Sequence, residues 1–245
     1  RRQRQMCIRD SHELRTPLNG IIGFLRLTLD DMADSEEEKQ EFIEEAYQSA
    51  LLLLNLINDI LDLAKIEAGK VDVELEAVDF LEVLQAVENF ALPQAQNKGL
   101  TFDLNLPVIQ APLLTYGNHR WLLQIMLNIV GNALKFTHEG GITLTVEVIL
   151  RSIIWQDQEK PGLIKVSVAD TGIGVPLAQQ SKLFKKFVQI DGSHSKAYGG
   201  TGLGLVISQK LVEAMGGKVA FFSMGEGLGS TVTFTVLLEQ TPILD

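Results

Sequence analysis

Ile43, Ala46, Ala50, Leu53, Ile57, Ile60 and Ala64 recur at alternating spacings of three and four. That is the period of a long amphipathic α-helix, and Tyr47, Leu54 and Leu61 widen the stripe. A second stripe, Leu14, Leu18, Ile22, Leu25 and Leu29, precedes it at spacings of four and three. "DDMADS" separates them, and Ser35 followed by Glu38 has the spacing of a capping box opening the second helix. Stripes this wide exceed what one helical hairpin can bury. A dimeric four-helix bundle, with a second copy of the chain, is therefore expected. The acidic run Glu36, Glu37, Glu38 reads as a solvated helix start favoured by the helix dipole.

After "KIEAGK" the period changes. "VDVELEA" alternates like a strand, and a helical pattern follows over 81 to 96. Ile142, Leu144, Val146 and Val148 alternate, as do Ile164, Val166 and Val168, and later Val232, Phe234 and Val236. Helical stretches are expected over 121 to 136, 177 to 187 and 203 to 215, the last stopped by Gly216-Gly217. Antiparallel-looking strands with interspersed helices suggest an α+β sandwich, sheet on one side and helices on the other. The expected boundary is near Gly69, giving domains 1–69 and 70–245.

Composition narrows the partners. An apolar fraction of 46% with 21% charged residues is that of a globular chain, and a net charge of -10 argues against a broad nucleic-acid surface. The single cysteine, Cys7, excludes a disulfide framework and suits a reducing, cytoplasmic setting. No apolar run approaches the roughly 20 residues that span a bilayer, so no membrane contact by this stretch is expected. The chain starts without methionine close to a motif, and reads as part of something longer.

That motif is "SHELRTPLNG", where Pro17 lies one turn beyond His12 and removes the hydrogen bond to the Glu13 carbonyl. Four more stretches carry unusual residue choices. In "LNIVGNALKFT", Asn128 and Asn132 share a helix face with Lys135 nearby; carboxamide oxygens suit a hard cation and the lysine suits phosphate. Two solvent-facing asparagines would look the same. In "DTGIG", Gly172 and Gly174 permit a tight turn, and Asp170 could accept from an exocyclic amine such as that of adenine while rejecting the carbonyl of guanine. "GGTGLGL" places glycine N–H groups at a helix start, a ready anion site, without the spacing of a Walker or Rossmann loop. "GEGLGSTVTF" is another glycine-dense turn running into a strand, with a hairpin turn as its plain reading. "LFKKF" adds two aromatics at helical spacing.

Taken in order, S-H-E-L-R-T-P, N-x-x-x-N-A-x-K-F, D-x-G-x-G, L-F-x-x-F and G-G-T-G-L-G-L resemble the catalytic region of sensor histidine kinases. The first part resembles a dimerisation and histidine-phosphotransfer domain, the second a GHKL-type ATP-binding domain. "LGLVISQKLVEAMGG" looks most like the hybrid branch. The resemblance implies His12 as phosphoacceptor, Glu13 as its acid/base and Thr16 as the residue that orients water in dephosphorylation. It implies Asn128, Asn132 and Lys135 for Mg²⁺ and phosphates, with Asn132 on the metal, and Asp170, Gly172 and Gly174 for adenine. Gly200, Thr201, Gly202, Leu203 and Gly204 would border the phosphates at the hinge of a lid, "QIDGSHSKAYGG", that contains Lys196 and is anchored by Phe184 and Phe187. ATP, Mg²⁺, a homodimer and a response regulator or receiver domain are the implied cofactors and partners.

The chain departs from the family pattern at Asn118-His119, where an aspartate-proline pair is usual, at Lys196, where arginine is usual, and in "RRQRQMCIRD". Two rivals stand beside this reading. One is a pseudokinase that holds ATP and docks partners, the other a gyrase-like ATPase driving a clamp.

Overall fold

Two long helices come first, as the apolar stripes require. α1 (Arg2–Leu29) runs through Pro17, and α2 (Glu36–Glu67) follows a turn in which Asp31 adopts φ 56°. Ser35 caps α2 by accepting from Glu38 N–H at 3.1 Å, and Glu38 Oε2 accepts from Asp34 N–H at 2.7 Å. The reciprocal half of the capping box thus lands one residue early. The computed structural model describes residues 2–67, 74–110, 112–186 and 202–244.

The apolar stripe of α2 divides into two seams. Phe42, Ala46, Ser49, Leu53, Leu56, Ile60 and Leu63 are buried or half-buried. They run beside α1, where Phe42 and Phe24 bring ring centroids to 6.3 Å and Gly20 lies against Ser49. The neighbouring seam stays open: Leu54 is 54% exposed where Leu56 is 2% exposed, and Ile43, Tyr47, Ile57 and Leu61 are exposed too. α1 has the matching open seam at Leu18, Ile22, Leu25 and Leu29.

The described residues 74 to 184 and 204 to 244 form a separate compact unit. Its order is β1 (Glu76–Asp79), α3 (Phe80–Asn97), β2 (Thr101–Asn105), β3 (Ile109–Gln110), β4 (Leu114–Gly117) and α4 (His119–Phe136), then β5 (Gly141–Trp155) and β6 (Gln158–Asp170). α5 (Leu177–Gln180), α6 (Gly204–Ala214), β7 (Val219–Phe222), β8 (Ser230–Leu237) and β9 (Ile243–Leu244) follow. β2, β5, β6, β8 and β7 make one sheet in that order. Alternation decides its faces. Ile142, Leu144, Ile164, Val166, Val168, Phe234 and Val236 point into the core, over which α3, α4 and α6 pack. The intervening positions form a polar outer face, where register partners Glu147 and Lys165 pair at 2.7 Å and Ser167 meets Thr233 at 3.2 Å. This is the expected α+β sandwich.

Among the described residues, Lys160 is a buried charge, and it is paired. It donates to Glu239 Oε2 at 2.5 Å and sits 3.6 Å from the Tyr116 ring centroid. The helix stop at Gly216-Gly217 forms as expected. Gly216 takes φ 80° and donates to Glu213 O at 3.1 Å, while Gly217 donates to Val212 O at 2.9 Å, a Schellman end.

The antiparallel pairing expected of β5, β6 and β8 is seen, and β2, not expected as a strand, adds a parallel pair with β5. Two expectations are corrected. The strand expected in "VDVELEA" is seen only from Glu76, as β1, and it pairs with β4 outside the main sheet; residues 68 to 73, including Gly69, lie outside the described residues. The helix expected over 177 to 187 is cut to Leu177–Gln180, with turns to residue 186. Its N-cap, Pro176, has no side chain to offer and the helix buries no residue, so nothing supports its propagation.

Candidate functional site

α4 organises the site. Asn118 at its N-cap accepts from Trp121 N–H at 3.2 Å, and asparagine caps as well as the aspartate that the resemblance led one to expect. Trp121, Leu122, Ile125, Met126, Ile129, Val130, Ala133 and Leu134 bury one face. The half-buried Asn128, Asn132 and Lys135 fall on the other side of that helix.

The carbonyl groups at the end of α4 all have donors to find. Thr137 Oγ1 donates to Ala133 O at 2.7 Å, Lys98 Nζ to Leu134 O at 2.7 Å, and Ile173 N–H to Phe136 O at 3.1 Å. The last bond fastens the 170–174 loop to α4. Desolvation by burial lowers the pKa of Lys135 from 10.5, and its Nζ lies 5.1 Å from the Phe136 ring centroid.

The loop itself leaves β6 at Asp170. Asp170 Oδ1 accepts from Gly172 N–H at 2.9 Å and Ser230 N–H at 3.2 Å, and Oδ2 accepts from the Ser230 hydroxyl at 2.6 Å. A Cβ at Gly172 would run into the Phe136 carbonyl oxygen, and one at Gly174 into that of Gly225. Gly174 also has φ 64°, a conformation side chains rarely adopt. The β7–β8 hairpin clasps the loop from the other side: Gly227 N–H donates to Ile173 O at 2.6 Å and Gly229 N–H to Gly172 O at 3.0 Å.

The start of α6 closes on the middle of α4. Asn128 Nδ2 lies 3.4 Å from Gly204 O and 3.5 Å from the buried Ser208 Oγ. Three separate motifs therefore meet: "DTGIG" at the end of α4, the asparagine face along it, and Gly204 beside Asn128. Gly202, at φ 65°, and the buried Leu203 lead into α6.

Other candidates are placed less fully. Thr16 is exposed on α1 and has an interaction of its own; His12 and Glu13 lie on the same helix, their side chains outside what is described. Phe184 is half-buried beyond α5, whereas Phe187, Lys196, Gly200 and Thr201 lie outside the described residues. The sequence reading did not single out Ser230, Lys98 or Asn118 as useful. Only Asn118 carried a signal, as a capping residue type just ahead of the helical pattern from 121. Among the described residues no group of three or more His, Cys, Asp or Glu could hold a metal ion, and no helix is long and apolar enough to cross a membrane.

Known proteins share this sequence and fold. The family described as Histidine kinase-, DNA gyrase B-, and HSP90-like ATPase matches residues 117–240, more than half of the chain, and the His Kinase A (phospho-acceptor) domain matches 11–69. The signal transduction histidine-protein kinase BarA of Escherichia coli K12 is 43% identical over 233 residues, covering 95% of this chain and 24% of its own length. The chain thus spans about a quarter of that relative. Full-length ShkA in complex with AMPPNP superposes with TM-score 0.67 at 32% identity, over 95% of this chain and 46% of that one. The histidine kinase AdeS of Acinetobacter baumannii shares the fold, with TM-score 0.72 at 21% identity over 94% of this chain and 98% of that one. The chain belongs to the histidine kinase-, DNA gyrase B- and HSP90-like ATPase family, as a member that also carries the histidine-kinase phosphoacceptor domain.

Proposed function

We propose that this chain is the kinase core of a two-component system, binding ATP beside α4 and transferring its γ-phosphoryl group to His12. The observation that carries the reading is the state of Asp170. Two backbone N–H groups fix Oδ1, while Oδ2 holds the Ser230 hydroxyl and keeps acceptor capacity for an exocyclic amine. The glycines around it let the loop pack directly on the Phe136 and Gly225 carbonyls, which holds the Asp170 carboxylate in place. Such an environment suits adenine and leaves a guanine carbonyl facing a carboxylate.

The remaining roles follow the chemistry of each side chain. Lys135, at the end of the same helix face, suits the phosphates, and the α6 N-terminus from Gly204, with Gly200, Thr201, Gly202 and Leu203, favours their charge. Lys196 adds a cation, and Phe184 and Phe187 anchor the lid. Asn132, through its carboxamide oxygen and with Asn128 beside it, would hold Mg²⁺, which when bound would supply charge neutralisation for the transferring group. A ring nitrogen of neutral His12 attacks the γ-phosphorus; the N–P bond forms as the bond to the β–γ bridging oxygen breaks, and ADP leaves. Glu13 takes the imidazole proton. In the relay an aspartate oxygen of a response regulator or receiver domain then displaces the imidazole. Thr16, one turn from His12, orients a water for hydrolysis of that aspartyl phosphate.

The open apolar seams of α1 and α2 are the surface on which a second copy completes a four-helix bundle. We place the boundary between the phosphotransfer domain, 1–69, and the ATP-binding domain, 70–245, and take both to work in the cytoplasm. The test is incubation with γ-labelled ATP and Mg²⁺. Wild type acquires an acid-labile, base-stable label; His12→Gln loses it while still binding ATP. Label that persists on His12→Gln, or an acid-stable label, would reject the assignment.

A further inference from the structure

Gln180 belongs to none of the motifs, yet its side chain ties together the two loops that surround Asp170. A carboxamide nitrogen carries two hydrogens. Both are used: one goes to Val175 O at 2.9 Å, the other to Ser223 O at 2.7 Å. Val175 directly follows the 170–174 loop, and Ser223 opens the hairpin loop between β7 and β8. The same two residues are joined again where Val175 N–H donates to Ser223 Oγ at 3.0 Å. Ser223 is 1% exposed, and its hydroxyl donates onward to Gly229 O at 2.6 Å. The next residue is Ser230, whose N–H and hydroxyl grip Asp170.

Hydrogen bonds, joined through Ser223 itself and the Gly229–Ser230 peptide, thus lead from Gln180 to the carboxylate. A helix of four residues does not need such a tie for its own sake, since α5 buries nothing. What the tie does fix is the spacing between the loop that bears Asp170 and the loop that bears Ser230. A shift of either loop would move the Asp170 carboxylate, whereas Asn128 and Asn132 lie further back along α4 from the Ile173–Phe136 bond.

We infer that Gln180 is a positioning residue for recognition of the exocyclic amine of the nucleotide base, acting through Ser223 and Ser230 on Asp170. This rests on the ATP site proposed above, and the comparison that tests it separates the two. The full chain is titrated calorimetrically, with Mg²⁺, against ATP and against inosine triphosphate, which carries a carbonyl in place of the amine. Wild type should prefer ATP. Gln180→Leu should weaken ATP binding about fivefold to tenfold, the size of one or two hydrogen bonds, while inosine triphosphate binding stays as it was. Ser223→Ala cuts the same run from the other loop and should narrow the ratio in the same direction, so the outcome does not hang on the folding of one variant. An unchanged ATP-to-inosine ratio in both variants, or a parallel loss of both nucleotides, would overturn the inference and leave Gln180 a structural tie. A wild-type chain that fails to bind ATP, or that prefers neither nucleotide, would overturn the reading of Asp170 first and this inference with it.

Discussion

Lys135, proposed above to face the phosphates, is held at a cost to the fold. Burial disfavours its charged form and lowers its pKa from 10.5. Between that lowered value and 10.5 the unfolded chain binds more protons than the folded one, so stability rises with pH across the window. The penalty is complete below the folded pKa and gone once both states are neutral. Urea denaturation at rising pH should therefore show wild type gaining stability relative to Lys135→Met as 10.5 is approached; parallel curves would mean that burial does not tax this lysine. At this scale the sequence was legible where a residue is chemically conspicuous. Asp170 before two spaced glycines announces itself. Ser230, Gln180 and Lys98 do not, because serine, glutamine and lysine are common and their value here depends on partners 60, 43 and 36 residues away.

Among the elements, α2 is the one whose pattern could be misjudged without being missed. Its stripe is correct as a period, but one seam faces α1 and the neighbouring seam faces outward. The two seams predict opposite phenotypes. Leu56→Ala should cost about 2–5 kcal/mol of stability, the usual range for a buried leucine, with little change in self-association. Leu54→Glu should shift the chain towards monomer, read by sedimentation velocity at fixed concentration, because a charge would enter the proposed dimer seam. Equal sedimentation of wild type and Leu54→Glu would reject that seam. Long periodic helices and the strands β5, β6 and β8 were readable because their alternation repeats enough to exceed chance. β2, β4 and β7 are four or five residues long, and such runs do not separate strand from loop on pattern alone. The parallel pairing of β2 with β5 was hidden for another reason: register is set by the loops and packing that join strands distant in sequence.

Across the whole molecule the two units have distinct cores, and the proposed split gives each a separable task. The fragment 70–245 should bind ATP with an affinity within a few-fold of the full chain, measured by calorimetry, and should acquire no acid-labile phosphate because His12 is gone. Loss of ATP binding by that fragment would show that the site needs the helical unit. The sheet also has a consequence for how the chain is made. β8 lies between β6 and β7 and supplies the buried Phe234 and Val236, yet it is contributed by residues 230–237. A nascent chain emerging from the ribosome carries β6 with one bare edge until nearly all of this unit has been synthesised, and β7, made earlier, has no neighbour to join. The sheet cannot assemble strand by strand in the order of translation. Its closure waits on one late segment, and through that interval β6 presents an unpaired edge open to wrong partners.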